Sequence, residues 1–225
     1  MGTRGWFEYP IQVTPRKRSW ACWLPLLAFL GMAGPSVYAA DISMIAGTDL
    51  TTFSFDFPPI GLTQSPRPGL AFGGLIDFDI AGPVQLETGI VFMLRRPEIN
   101  NPNDPNPEPS SLRAAQFPLL WRVTTLDWLS VGAGMYYNQG FDKINQNSTN
   151  SSTPSEPGYG ITNTSRVDYG IIGSVQFRLP LTHELRGLID VRYLNGLSDV
   201  DTTGVNSKYF RDFQILVGMT IGHFK

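Results

Sequence analysis

Asp77 and Asp79 stand two residues apart, a spacing that puts both carboxylates on one face of an extended strand. Two carboxylates so placed can divide acid–base work or hold a cation. They can equally be the interior partners of Arg122, Arg178 or Arg192, and that is the role expected of them. Histidine chemistry is sparse. His183 and His223 are the two histidines, and neither has a serine two positions away on its strand face. A hydrolytic site needs a nucleophile beside a base, so both are read as interface residues. The single cysteine, Cys22, excludes a disulfide framework and a cysteine-built zinc centre. Asp199-Val200-Asp201 comes nearest to a calcium cluster but lacks the loop spacing and distal Glu that calcium takes. Those acids, with Asp56, Glu98, Asp104, Glu108, Asp142 and Glu156, are read as solvated loop. Tyr136, Tyr137 and Phe141 are read as girdle and loop-base packing. No catalytic residue, metal ligand or cofactor is expected.

The chain that must position these residues has 225 of them, 16% charged, with a formal net charge of -2. Soluble proteins carry about a quarter charged residues, and a near-neutral balance leaves no nucleic-acid footprint. The N-terminus reads as an export address. Arg16-Lys17-Arg18 precede an apolar run from Trp20 to Ala33, then Pro35-Ser36 and Val37-Tyr38-Ala39-Ala40. Basic, apolar and small-residue segments in that order are a secretory signal peptide. Cleavage after Ala39 puts Val37 and Ala39 at the recognition positions, so residues 1–39 are expected to be removed and 40–225 to form one domain. Pro25 and Pro35 argue against an uncleaved anchor. The sequons at Asn147, Asn150 and Asn163 mark a solvated loop.

From residue 40 onward, period two recurs and period 3.6 does not. In Leu185–Asn195, the set Leu185, Gly187, Ile189, Val191 and Tyr193 opposes Arg186, Leu188, Asp190, Arg192 and Leu194. Similar alternation predicts eight strands near 42–53, 66–80, 83–95, 113–125, 128–139, 164–178, 184–196 and 209–224, the first being the least regular. Most exceed the usual strand of about 5–6 residues and reach the roughly 9–11 that a tilted strand needs to cross a bilayer. Links alternate in length. Ala81-Gly82, Leu126-Asp127 and Pro180–His183 are short; 54–65, 97–112, 140–163 and 197–208 are long and rich in Pro, Asn and Ser. This layout predicts an all-β, eight-stranded antiparallel up-and-down transmembrane β-barrel, with short periplasmic turns and long extracellular loops.

An Arg at the lipid midplane costs about 2–4 kcal/mol in such barrels, so the apolar face must point outward. The interior is then expected to hold Asp77, Asp79, Glu87, Arg122, Asp168, Arg178, Arg186, Asp190, Arg192 and Asp212 as a lumen network of ion pairs. Gly73, Gly89, Gly132, Gly134, Gly170 and Gly218 are expected to make room for longer neighbours. Phe78, Trp128 and Phe177 would form an aromatic girdle at the short-turn end, with Phe92, Tyr137, Tyr193 and Phe213 towards the long-loop end. Eight strands enclose only enough space for side chains, so a filled lumen is expected.

Several local pieces resemble the small outer-membrane β-barrel family of OmpA-like and PorT-like size. They are Gln116-Phe117-Pro118-Leu119-Leu120, Gly132-Ala133-Gly134, Asp168-Tyr169-Gly170-Ile171-Ile172-Gly173 and Arg192-Tyr193-Leu194-Asn195-Gly196-Leu197-Ser198-Asp199, spread over residues 66–224. The resemblance implies the outer membrane of a Gram-negative bacterium, folding by the barrel assembly machinery, and no particular activity. Such barrels end on an outward aromatic; here Phe224 falls on the inward register unless a bulge near Gly222 rotates it. The expected role is structural or surface-interacting, with outer-membrane lipid, lipopolysaccharide and an unidentified surface or secretion partner as contacts. Two alternatives stay open: a narrow porin-like solute channel, and a soluble periplasmic lipocalin-like ligand-binding barrel with the two faces reversed.

Overall fold

Strict alternation of apolar and polar residues can be satisfied only by extended chain with unlike environments on its two faces. The computed structural model describes residues 38–56, 63–64, 66–97, 99–100, 111–141, 165–200 and 207–222. Eight long strands are present: β1 (Tyr38–Phe55), β3 (Arg67–Ala81), β4 (Val84–Arg96), β6 (Leu112–Leu126), β7 (Leu129–Gly140), β8 (Val167–Pro180), β9 (Leu185–Gly196) and β10 (Lys208–Ile221). They close a barrel in the order β1-β10-β9-β8-β7-β6-β4-β3. Every adjacent pair is antiparallel, including the closing pair β1 and β3. Two further strands, β2 (Thr63–Gln64) and β5 (Ile99–Asn100), pair only with each other. They lie in segments expected as coil, since two residues carry no readable period. Strand β1, the least regular in sequence, is the longest at 18 residues. Its pairing with β10 and β3 overrides the blurred local pattern. It also begins two residues before the expected processed terminus at Ala40.

The links 82–83, 127–128 and 181–184 are short and lie at one end. Gly82 has φ 54°, the left-handed value that the first central residue of a two-residue hairpin requires. The links 56–66, 97–111, 141–166 and 197–207 lie at the other end. His223, Phe224, the three sequons, Cys22 and the segment 1–37 lie outside the described residues.

The apolar side chains point away from the barrel axis. Met44 is 74% exposed, Val217 53%, Ile171 48% and Ile189 38%, whereas Glu87, Arg122, Asp190 and Arg192 are fully buried inside. A lipocalin-like barrel requires the opposite arrangement, and that alternative is corrected here. The interior is also less uniformly ionic than expected. Ile45, Ala71, Leu75, Val91, Met93, Ala114, Leu188 and Leu216 form one inward apolar cluster, and Leu120, Tyr136, Ile172 and Leu194 a second.

The inward glycines do a different job from the one expected. Only Gly132 makes room for a long neighbour, with Arg122 Cγ 3.1 Å from where a Cβ would stand. At Gly73, Gly89, Gly134, Gly170 and Gly218 a Cβ would lie 2.0–2.2 Å from a carbonyl oxygen of the adjacent strand. Tight coiling of a small barrel brings backbone to those positions, as glycine kinks in curved sheets do. Replacing Gly134 with alanine should therefore lower stability by about 1–3 kcal/mol, the usual cost of overpacking. The urea midpoint of the refolded barrel measures this. Pro118 leaves another local mark. The β4–β6 pairing runs from Thr88↔Leu119 to Val91↔Gln116 and skips the proline, which has no N–H to offer.

Candidate functional site

The inward positions of eight strands converge on one interior, and the polar side chains there sort into three layers. At the short-link end, Arg178 extends from β8 and donates from Nη2 to Gln85 Oε1 at 2.9 Å and to Asp77 Oδ2 at 3.4 Å. Its Nε donates to Gln176 Oε1 at 2.6 Å, and Ser130 Oγ donates to the same oxygen at 3.2 Å. Asp79 accepts from Gln85 Nε2 at 2.8 Å. Asp77 and Asp79 thus share a face but have different partners, Asp77 the guanidinium of Arg178 and Asp79 the amide of Gln85. Arg186 is half-buried at this end, opposite Thr220 and Pro180.

The middle layer is a closed square of two acids and two bases. Arg122 donates from Nε to Glu87 Oε2 at 2.6 Å and from Nη2 to Asp190 Oδ2 at 2.7 Å. Arg192 donates from Nη2 to Glu87 Oε1 at 2.9 Å and to Asp190 Oδ2 at 2.6 Å. Ser174 Oγ donates to Asp190 Oδ1. All four ionic side chains have no exposed surface. Each acid touches both bases, so the square is neutral. At the stated low exposure an unpaired member would carry a desolvation penalty of several kcal/mol.

The layer towards the long links centres on buried Arg95, which was not among the interior residues expected from sequence. Arg95 Nη2 donates to Asp212 and, at 3.4 Å, to Asp168. Its guanidinium carbon stands 4.3 Å from the centre of the Phe210 ring, a cation–π contact. Asp168 also accepts from Asn138 Nδ2 at 2.9 Å, Ser198 Oγ at 3.1 Å and Tyr136 Oη at 3.4 Å. Thr51 donates to Asp49 at 2.7 Å, and Lys208 Nζ lies 5.4 Å from the Phe53 ring centre. Tyr136 therefore belongs to the interior and not to a girdle or loop base. Asp49 and Lys208 were missed because one sits in the irregular first strand and the other just before the expected start of the last.

On the outer wall, Trp128 and Phe177 stack with centroids 6.2 Å apart and planes 13° apart. Phe78 is half-buried on the outward face, and exposed Trp121 stands near the same end. Towards the long links, Phe92 pairs with Phe72 at 5.6 Å and Tyr137 with Phe117 at 6.2 Å. Tyr193 and Phe213 are exposed there, as is Tyr169. Phe72, Phe117, Trp121 and Tyr169 were not singled out from sequence, although each lies on an outward position of its strand.

Among the described residues no group of three or more His, Cys, Asp and Glu is placed to hold a metal ion. Val200 is buried against Phe53 and Phe210, and Asp199 Oδ1 accepts from the Lys208 backbone N–H at 3.0 Å. This stretch, expected as solvated loop, instead packs Val200 inside, while Asp199 stays exposed and Asp201 lies outside the described residues. His183 is exposed in the link between β8 and β9.

No family profile matches the chain. No curated protein matches it. Solved structures do. The crystal structure of the outer membrane protein OprG from Pseudomonas aeruginosa is similar at a TM-score of 0.53 and 13% identity, covering 83% of this chain and 96% of that one. The solid-state NMR structure of outer membrane protein AlkL in DMPC lipid bilayers has a TM-score of 0.45 and 13% identity, over 81% and 90% of the two chains. Neisserial surface protein A has a TM-score of 0.47 and 10% identity, over 83% and 99%. At these identities the likeness speaks for the fold. The chain has the eight-stranded β-barrel fold of the structural class to which OprG belongs.

Proposed function

We propose that this chain is exported by the segment 1–39 and works as an integral barrel of a Gram-negative outer membrane, with a structural or surface-interacting role. One observation carries the reading: a closed barrel turns its aliphatic residues outward and its charges inward. Water outside would make that arrangement costly, whereas lipid requires it. On this reading the short links face the periplasm and the long links the exterior. Outer-membrane lipid surrounds the wall, and the barrel assembly machinery inserts it. The middle-layer square, together with the inward leucines, supports a lumen closed by side chains.

Fractionation tests the membrane reading. The native protein is expected in the outer-membrane fraction, and its folded band should shift on heating before electrophoresis. A soluble periplasmic protein without detergent dependence would overturn the proposal. A second reading, the narrow channel, draws on polar atoms without protein partners at successive levels: Asp77 Oδ1, Arg192 Nη1, the Gln116 amide and Asp212 Oδ1. Purified protein in planar bilayers distinguishes the two. A closed lumen gives no stable conductance, and a reproducible unitary step establishes the channel.

A further inference from the structure

We propose that the lumen layer towards the long links binds a monovalent cation of the sodium type between β1 and β10, on Asp49, Asp212 and Gln214. All three side chains are buried, Asp49 and Gln214 at 0% exposure and Asp212 at 1%. Each uses one polar atom on the protein. Thr51 Oγ1 donates to Asp49 Oδ2 at 2.7 Å, Arg95 donates to Asp212 Oδ2, and Gln214 Nε2 donates to Met93 Sδ at 3.0 Å. The other atom of each, Asp49 Oδ1, Asp212 Oδ1 and Gln214 Oε1, has no protein partner. The register gathers these oxygens. Asp49 pairs directly with Gln214 and Thr51 with Asp212, so the four side chains occupy a two-by-two block of inward positions.

Facing side chains across such a pair start about 5 Å apart, and inward positions of an eight-stranded barrel converge on its axis. The Gln214 amide neighbours the Asp49 carboxylate, and the Thr51 hydroxyl neighbours Asp212 as well as Asp49. One hydroxyl proton cannot serve both acids, although the hydroxyl keeps lone pairs to offer a cation. Three unpartnered oxygens with no donor among them are what a hard cation takes. The set joins two carboxylates to an amide oxygen, so it differs from a cluster of three acids, of which there is none among the described residues. Charge selects a monovalent ion. The buried ionic side chains described in this layer are Asp49, Asp168 and Asp212 against Arg95 and Lys208, an excess of one negative charge. Arg95 spans Asp212 and Asp168 and does not bond Asp49. A buried carboxylate without compensation is costly. A single positive charge removes the excess, and a divalent ion would reverse it. The site lies inside the wall, so it does not depend on what surrounds the barrel.

The purified protein is refolded in zwitterionic micelles in choline chloride, and choline is then exchanged for sodium at constant ionic strength. The urea midpoint, followed by the heat-modifiable band, should rise with sodium and level off, as binding to the folded state alone requires. The sodium NMR line should broaden over the folded protein and sharpen again when urea unfolds it. Asp49→Asn keeps the shape and an oxygen but removes the excess charge. It should be at least as stable as the wild type in choline, with the half-saturating sodium concentration raised about tenfold or more. Gln214→Met, neutral and close in volume, should raise it about fivefold and serves should Asp49→Asn misfold. Variants that lower the midpoint equally in choline and sodium would show a merely structural role and overturn the proposal. A midpoint indifferent to sodium would overturn it too, as would a response to calcium and not to sodium. Stabilisation by lowered pH in choline, with no sodium response, would show a proton shared by Asp49 and Asp212 in place of the cation.

Discussion

Arg122→Ala is expected to cost the barrel about 3–5 kcal/mol, the range for removing one partner of a buried ion pair. Arg122 and Arg192 each bond both Glu87 and Asp190. Without Arg122, two carboxylates share one guanidinium in a space that solvent does not reach. The loss should appear as a lower urea midpoint in phosphatidylcholine vesicles, followed by the heat-modifiable band and tryptophan fluorescence, with the denaturant slope unchanged. The paired change Glu87→Leu with Arg122→Met should recover most of it, because Asp190 and Arg192 remain as a neutral pair and the replacements refill the volume. Coupling of this kind is what a double-mutant cycle isolates. A loss below about 1 kcal/mol for Arg122→Ala would mean that the square is hydrated or open, since surface pairs are worth that little.

Ile215→Arg probes the outer wall in the same units. Ile215 lies halfway along β10, faces outward, and pairs with Thr48 and Val191. In lipid the substitution should cost about 2–4 kcal/mol. On a water-facing surface it would change stability by no more than about 0.5 kcal/mol. Leu197→Arg is the companion, because Leu197 is exposed just beyond the end of β9 at the long-link rim. Near the interface the cost falls to about 0–1 kcal/mol. A steep difference between the two sites, measured by reversible unfolding in vesicles, reports a bilayer around the barrel. Equal and small effects would mean that no bilayer covers Ile215.

Where a strand separates its faces cleanly, residue types alone reveal it. In β9, slipping the register by one would turn Arg186, Asp190 and Arg192 outward together, so the alternation had one acceptable orientation. Strand β1 was harder because its inward side carries Asp41, Ser43, Asp49 and Thr51 beside Gly47, and its outward side mixes Ile42 and Met44 with Thr48 and Thr52. Its extent is decided by pairing with two partners that local pattern does not encode. Parity put Glu87, Arg122, Asp190 and Arg192 on the inward face, but it left Asp49, Arg95 and Lys208 out of the expected network, and the partnerships were not readable at all. That Arg178 reaches Asp77 and Gln85, or that Arg95 joins Asp168 to Asp212, depends on strand tilt and on which strands meet across the lumen. The glycine contacts depend on coiling in the same way, and the β2–β5 bridge on the meeting of two links.

The seam between β1 and β10 has fourteen paired positions contributed by opposite ends of the described chain. Contacts this remote in sequence are the slowest to form, since the intervening loop must be ordered before they repay anything. Until β10 is in place, β1 and β9 each present a full row of unmatched amides and carbonyls. Such rows template aggregation in water and are untenable in hydrocarbon. A chain that stops short of β10 therefore leaves the seam open, with two unpaired edges. A single nick within a long link is a milder injury, because both fragments remain zipped to their neighbours on either side. The wall is a ring in which any link can be cut once but no stave can be left out.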